Sequence, residues 1–160
     1  MKYRDGDPHE MKDKFWHALD QSPYLMLQLD AEPGSAAPMT ASLDEDADHA
    51  IWFFCGRDTR FARLGPATAT FANRDHDLFA RFAGTLSAET DRARLDRQWT
   101  KHVAEWFPEG KDDPNLLLVR MDLGPASIWC GEVGVLDAAK QLLGMDLHKA
   151  AKGRHAETAL

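Results

Sequence analysis

"PMTASLDEDADHAIWFFCGRDTR", residues 38–60, holds two strands and the turn between them, and it ends in charge. Met39, Ala41 and Leu43 alternate with Thr40 and Ser42, the period-two pattern of a strand with one buried face. The polar run "EDADHA" makes the turn. Ile51, Trp52, Phe53, Phe54 and Cys55 then form a buried strand, which stops on Gly56, Arg57, Asp58, Thr59 and Arg60 just as "RFARL" begins a short helical turn. Two guanidiniums and a hydroxyl delivered to one point can hold a phosphate by charge-assisted hydrogen bonds. A strand that simply surfaces at a turn has the same composition, and this stretch alone favours that simpler reading.

Outward from it, Met11, Phe15, Trp16 and Leu19 recur at helical spacing until Ser22-Pro23, which predicts an amphipathic leading helix. "YLMLQLD" reads as a strand joined to residues 38–44 through "AEPGSAA", where Pro33-Gly34 signals a turn. Further strands are expected in "ATATFAN" and "LFARFAGTLSA", with Gly84 marking a bulge or a close backbone approach. Leu95, Trp99, Val103 and Trp106 fall on one face of a second helix starting at Thr90. "LLLVRMDL" and "ASIWC" read as two strands separated by "GPA", and "VLDAAKQLLG" as a terminal helix. Residues 1–10 and 146–160 read as flexible tails. Short strands, few helices and many hairpin-length turns point to a mainly β fold, a β-barrel with peripheral α-helices, in a single domain spanning 1–160.

A chain of 160 residues, 44% hydrophobic, fills one core. A formal charge of -7 without a Lys/Arg-rich run argues against nucleic acid as a partner. No apolar stretch reaches the roughly 20 residues that span a bilayer, and the charged N-terminus lacks a signal core, so no membrane partner and a cytoplasmic location are expected. Cys55 and Cys130, each within an apolar segment, read as reduced core thiols. There is no G-x-S-x-G, no G-x-G-x-x-G and no P-loop, and the Asp75, His76, Asp77 cluster reads as a solvated turn rather than a metal site. Trp16, Trp52 and Trp99 are assigned to the core, whereas Trp106 and Trp129, beside polar glycine-containing loops, are placed either to pack the core or to cap a flat ring.

The ordered segments "SPYLMLQLD", "PMTASLDEDADHAIWFFCGRDTR", "WFPEGKDDPNLLLVRMD" and "ASIWCGE" together resemble the general stress protein branch of the pyridoxamine 5'-phosphate oxidase-like, FMN-binding split-barrel family, over roughly Met11 to Gly144. The resemblance implies a homodimer with a flavin, FMN or alternatively FAD, in each of two clefts between subunits. It implies that Met39, Thr40 and Ala41 lie beside the isoalloxazine, with Phe54 and Cys55 following on the next strand and Arg57, Thr59 and Arg60 gripping the phosphate. Trp106, Lys111 and Trp129 complete the implied cofactor set, Trp129 reaching the flavin of the other subunit.

Two departures matter. Relatives carry a lysine where this chain has Phe61, and the stretch "CGEVGVLD" lacks the arginine and histidine with which true oxidases hold a vitamin B6 substrate. The expectation is a flavin-binding general stress protein without pyridoxamine 5'-phosphate oxidase activity. The alternatives are a flavin- or deazaflavin-dependent reductase using NAD(P)H and a ligand-free dimeric scaffold.

Overall fold

The structure is a computed structural model that describes residues 2–47, 49–132 and 152–160. In chain order the elements are β1 (Lys2–Asp5), α1 (Pro8–Gln21), β2 (Tyr24–Leu29), β3 (Ala37–Thr40), β4 (Ala50–Gly56), a 3-10 turn (Arg60–Arg63), β5 (Gly65–Ala72) and β6 (Leu78–Ala88). Then follow α2 (Arg92–Gln98), α3 (Lys101–Ala104), a second 3-10 turn (Gly110–Asp112), β7 (Leu116–Glu132) and β8 (Lys152–Ala159).

The ladders run β1-β8-β7-β6-β5-β2-β3, and β4 pairs with the first half of β7. A single bridge between Ser42 and Trp52, with N–H···O distances of 2.7 and 2.9 Å in the two directions, joins the chain just after β3 to β4. That bridge turns the sheet into a ring of β7, β6, β5, β2, β3 and β4. The expected mainly β split barrel is what the chain forms.

Alternation decides what fills it. Leu25, Leu27 and Leu29 of β2, Ile51, Phe53 and Cys55 of β4, Ala67, Ala69 and Phe71 of β5, and Leu78, Ala80 and Phe82 of β6 all face one core. α1 adds Met11, Phe15 and Leu19, with Phe15 meeting Phe71 and Phe82 edge-on at 5.9 and 5.4 Å. Asp7 caps that helix, accepting from the His9 and Glu10 amides at 2.8 and 3.2 Å, and Pro8 sits in its first turn. A smaller cluster around Trp52 and Leu118 lies between the barrel and α2, with the Arg94 guanidinium 4.4 Å from the Trp52 ring centroid and the indole N–H donating to Glu89 at 2.9 Å.

β7 corrects the expectation of two strands: it runs unbroken from Leu116 to Glu132 through "GPA". Its residues in the main core are Leu117, Val119 and Met121 before Gly124-Pro125, and Ala126, Ile128 and Cys130 after it. The side-chain parity therefore reverses, because Gly124 and Pro125 together oppose the single residue Ala83 of β6. The bulge expected at Gly84 exists with its extra residue on the facing strand, and the expected close approach is also present: a Cβ on Gly84 would lie 2.5 Å from the Asp122 carbonyl oxygen.

Three other expectations change or fall outside. The second helix breaks at Trp99, whose ψ of 120° is extended, because the Thr100 hydroxyl accepts from the Val103 amide and starts α3 afresh. The tail read as flexible contains β8, which pairs antiparallel with β7 and parallel with β1, so residues 2–5, in the leading segment read as flexible, are also a strand. Its hold comes from main-chain ladders and from Arg154 donating to Glu10 of α1 at 2.9 and 3.0 Å, neither of which leaves an apolar pattern in the sequence. The expected terminal helix over 135–144 lies outside the described residues. Among the described residues no helix is long and apolar enough to cross a membrane.

Gly84→Ala is expected to lower stability by about 1–3 kcal/mol, since the added methyl must displace main chain in a filled core. Gly124→Ala, whose Cβ would meet the Ala83 carbonyl oxygen at 3.5 Å, should cost less than about 0.5 kcal/mol. Urea midpoints of the two variants at unchanged m check the contrast.

Candidate functional site

Among the described residues the ring is closed by one bridge, and this leaves a gap beside it. Ser42 bonds toward β4 and the Ala41 amide toward the Pro23 carbonyl of the opposite neighbour, at 2.7 Å. By the period of two, the main-chain groups of Thr40 and Pro38 turn the same way as those of Ser42, toward β4. Pro38 has no N–H to give, so a ladder cannot continue there. On the other wall the groups of Phe54 and Gly56 turn as those of Trp52 do, toward β3, where no strand among the described residues pairs with them. A split opens between the two strands, lined by the Thr40 and Phe54 main chain.

At the end of the split the chain makes a tight turn. The Gly56 carbonyl accepts from the Thr59 amide at 3.0 Å and from the Thr59 hydroxyl at 2.7 Å. Asn115, just before β7, clamps the turn: its carbonyl accepts from the Arg57 amide at 2.7 Å and its side-chain oxygen from the Asp58 amide at 3.2 Å. A Cβ at position 56 would crowd the ends of two side chains, the Asp58 carboxylate and, at 2.8 Å, the Asn115 amide nitrogen, which would have to turn aside. Arg60 donates to the Ser35 carbonyl at 2.7 Å, which fastens the loop before β3 to the turn after β4. The exposed guanidinium of Arg57 has no hydrogen bond or ion pair among the described residues. An exposed guanidinium able to bind an anion thus stands on the turn that follows β4.

The structure sorts the sequence candidates into three places. Met39, Thr40, Ala41, Phe54, Cys55, Arg57, Thr59 and Arg60 flank or end the split, with Met39 packed against the core, Ala41 and Cys55 buried and Thr40 exposed. Phe54 is half-buried and meets Trp99 edge-on at 5.9 Å. Burial pushes the Cys55 thiol up, against the opposing pull of the Thr59 hydroxyl and of Arg57, so it stays a neutral thiol at the wall. Thr59 points its proton at Gly56, so toward an anion it must first rotate.

Lys111 is elsewhere, donating to Asp96 at 2.6 Å. It lines, with Arg57, a separate cavity of about 340 Å³ between α2, the Gly110–Asp112 turn and the start of β7. Trp106 stands 74% exposed after α3. Trp129 is on the outer face of β7, opposite Phe79 of β6 and stacked on His155 of β8, ring centroids 5.1 Å apart. β4 and the split lie against residues 116–122 of β7, whereas Trp129 lies on the other half of that strand, beyond Gly124-Pro125.

Sequence reasoning missed Asn115 and Ser35, whose partners lie 57 and 25 residues away in the chain. Only the turn-forming "DDPN" hinted at the first. It also missed the outer row of Tyr24, Phe79, Trp129 and His155, in which Tyr24 and Phe79 are 65% and 43% exposed. The expectation of reduced thiols holds, as Cys55 and Cys130 are both free and buried. Among the described residues no cluster of His, Cys, Asp and Glu could hold a metal ion.

Comparison with known proteins places this geometry. No curated protein matches the chain. A general stress FMN/FAD binding protein from Xanthomonas citri is 40% identical, covering 79% of this chain and 93% of its own, with a TM-score of 0.72. A protein described as of the general stress family, from Xanthomonas campestris pv. campestris, is 38% identical over 80% of this chain and 93% of its own, TM-score 0.68. A protein described as general stress protein 26, from Jannaschia sp. CCS1, is 26% identical over 96% of this chain and all of its own, TM-score 0.80. Residues 10–151 match the model of the family described as pyridoxamine 5'-phosphate oxidase like, and the chain belongs to that family.

Proposed function

We propose that this chain is a flavin-binding protein of the general stress type that holds FMN in the split between β3 and β4, working as a homodimer in the cytoplasm. The observation that carries this reading is the split itself, with unpaired Thr40 and Phe54 main chain along it and Arg57, Thr59 and Arg60 at its end. The fit is chemical: the pyrimidine edge of an isoalloxazine alternates N–H and C=O, which unpaired strand edges can match, and its phosphate needs cations. Flavin bound there would supply one- and two-electron redox chemistry. The chain's own part is to orient and enclose: Ala41 and Cys55 give a close, uncharged wall, and Arg60, tied to Ser35, holds the slot's two loops together. The similarity to a Xanthomonas citri protein described as FMN/FAD binding supports the cofactor class.

Dimerisation is supported by the outer row of aromatic side chains. Tyr24, Met26 and Phe79, 65%, 40% and 43% exposed, share the outer sheet face with Trp129, an apolar patch that a second copy would cover. Trp129 lies on the half of β7 away from the split of its own chain, and in this reading its contact is with a flavin held mainly by the other copy. No cation follows Trp129 in "CGEVGVLD" to fix a pyridoxal phosphate, so oxidation of vitamin B6 phosphates falls outside this reading.

FMN should bind more tightly than riboflavin by about 2 kcal/mol or more, the worth of at least one charged hydrogen bond. Arg60→Ala should remove most of that difference. Equal quenching constants for FMN and riboflavin with the unmodified protein would reject the phosphate site. The FMN-loaded protein should show no steady oxygen-dependent turnover of pyridoxine or pyridoxamine 5'-phosphate, and sustained aldehyde formation would contradict this.

Light scattering should give a dimer, and Phe79→Glu should shift it to monomer. Trp129→Ala and Arg60→Ala should each bind FMN weakly alone yet recover one site per dimer after subunit exchange, because one cleft then inherits both intact residues. Tight FMN binding by a monomer, or exchanged heterodimers with no recovered site, would place the whole site in one chain.

A further inference from the structure

The split is tied at two ends. At the turn after β4, Arg60 reaches the Ser35 carbonyl at 2.7 Å. At the other end stands the bridge between Ser42 and Trp52, two main-chain hydrogen bonds with no ladder beside them among the described residues. Bonds of that kind are weak in net terms because water competes for the same groups, and a lone pair opens readily unless it is held from outside.

α2 grips both halves of that bridge. On the β3 side, two residues past Ser42, Asp44 accepts from the Asp46 amide at 3.1 Å with one carboxylate oxygen and pairs with Arg94 and, at 3.2 Å, with Arg97 through the other. The Asp44 and Arg94 side chains are largely withdrawn from solvent, so salt and water screen their attraction little. On the β4 side Trp52 is fully buried, and the same Arg94 guanidinium lies over its ring, 4.4 Å from the centroid. Leu95 packs against the cluster that contains Trp52. Glu89 accepts the Trp52 indole N–H at 2.9 Å with one oxygen and the amide of Asp91, the N-cap of α2, at 3.0 Å with the other. Arg94 therefore touches both sides of the bridge at once, Asp44 through charge and Trp52 through its ring.

We propose that Arg94 is a positioning residue for the split: by clasping Asp44 to Trp52 it keeps the bridge between Ser42 and Trp52 formed, and so sets how far apart the Thr40 and Phe54 main chains stand. The proposal rests on flavin binding in the split. A ligand that fits only the closed ring binds with an affinity reduced by the fraction of chains in which the ring is closed. Loss of the clasp is then read as loss of affinity in a chain that stays folded.

Amide hydrogen exchange and FMN titration on the full chain test it together. In Arg94→Met, which keeps the stem and removes the charge, the Ser42 and Trp52 amides should exchange about tenfold faster and FMN should bind about tenfold more weakly, as a closed fraction of about one tenth requires. Arg94→Lys, which restores the charge without the planar fork, should lie between. Asp7→Ala removes the α1 cap and lowers stability away from the bridge, and it should leave both readouts within about twofold. If Arg94→Met does not fold, Asp44→Asn, of the same shape and without charge, carries the same two expectations. Unchanged FMN affinity in the folded variant would overturn the proposal and leave the flavin reading standing, and so would an equal loss in Asp7→Ala. No FMN binding by the unmodified chain would overturn both.

Discussion

Two main-chain hydrogen bonds between Ser42 and Trp52 hold the ring closed. Everything that makes the molecule more than a sheet depends on their being present and on their not being repeated. One bridge brings β3 against β4 with the fully buried Trp52 as its anchor. Pro38, one period beyond Thr40, has no N–H to continue the ladder, so the strands part over a distance that main-chain groups can line without pairing. A longer ladder would have been more stable and would have left no slot. The unsatisfied edge is thus a local cost borne at the place where a flat, polar-edged ligand can take the missing bonds.

Charge is distributed to serve the same end. The described surface is rich in carboxylates that are already committed: Asp44 to Arg94 and Arg97, Asp96 to Lys111 and Arg92, Glu10 to Lys14 and Arg154. Burial pushes the Asp44 carboxyl up, but the Asp46 amide and the two guanidiniums outweigh it and hold it below the usual range. In a chain carrying a net -7, Arg57 and Arg60, at the two sides of one turn, are cations without a carboxylate partner among the described residues.

Most of the strands were legible because alternation and Gly/Pro punctuation are local. Residues 38–60 read correctly as strand, turn, strand and helical turn, and Gly84 was placed at a close approach. What was not legible is non-local. "GPA" looks like a turn in isolation and becomes a bulge only because Ala83 faces it. Thr100 interrupts a helical pattern by capping, which the apolar period of Leu95, Trp99 and Val103 does not register. β8 carries small and charged residues, held by β7, β1 and Glu10, so nothing in its own pattern announces a strand. Of the candidate residues, Thr40, Cys55, Thr59 and Arg60 could be placed near one another from the chain order of the two strands, but that Lys111 lies in a separate cleft, paired with Asp96, needed the fold.

The reversal of parity at Gly124-Pro125 also sets how the chain can change in length. Loops such as residues 30–36 join strands whose ladders fix their own register, so gaining or losing residues there moves no side chain from one face to the other. Deleting one residue at 124 or 125 would turn Ser127 and Trp129 inward and expose Ile128 and Cys130, inverting half of β7 at once. The outer aromatic row and the core below it are therefore a single register choice, so any sequence drift at this point is confined to substitutions that keep the count.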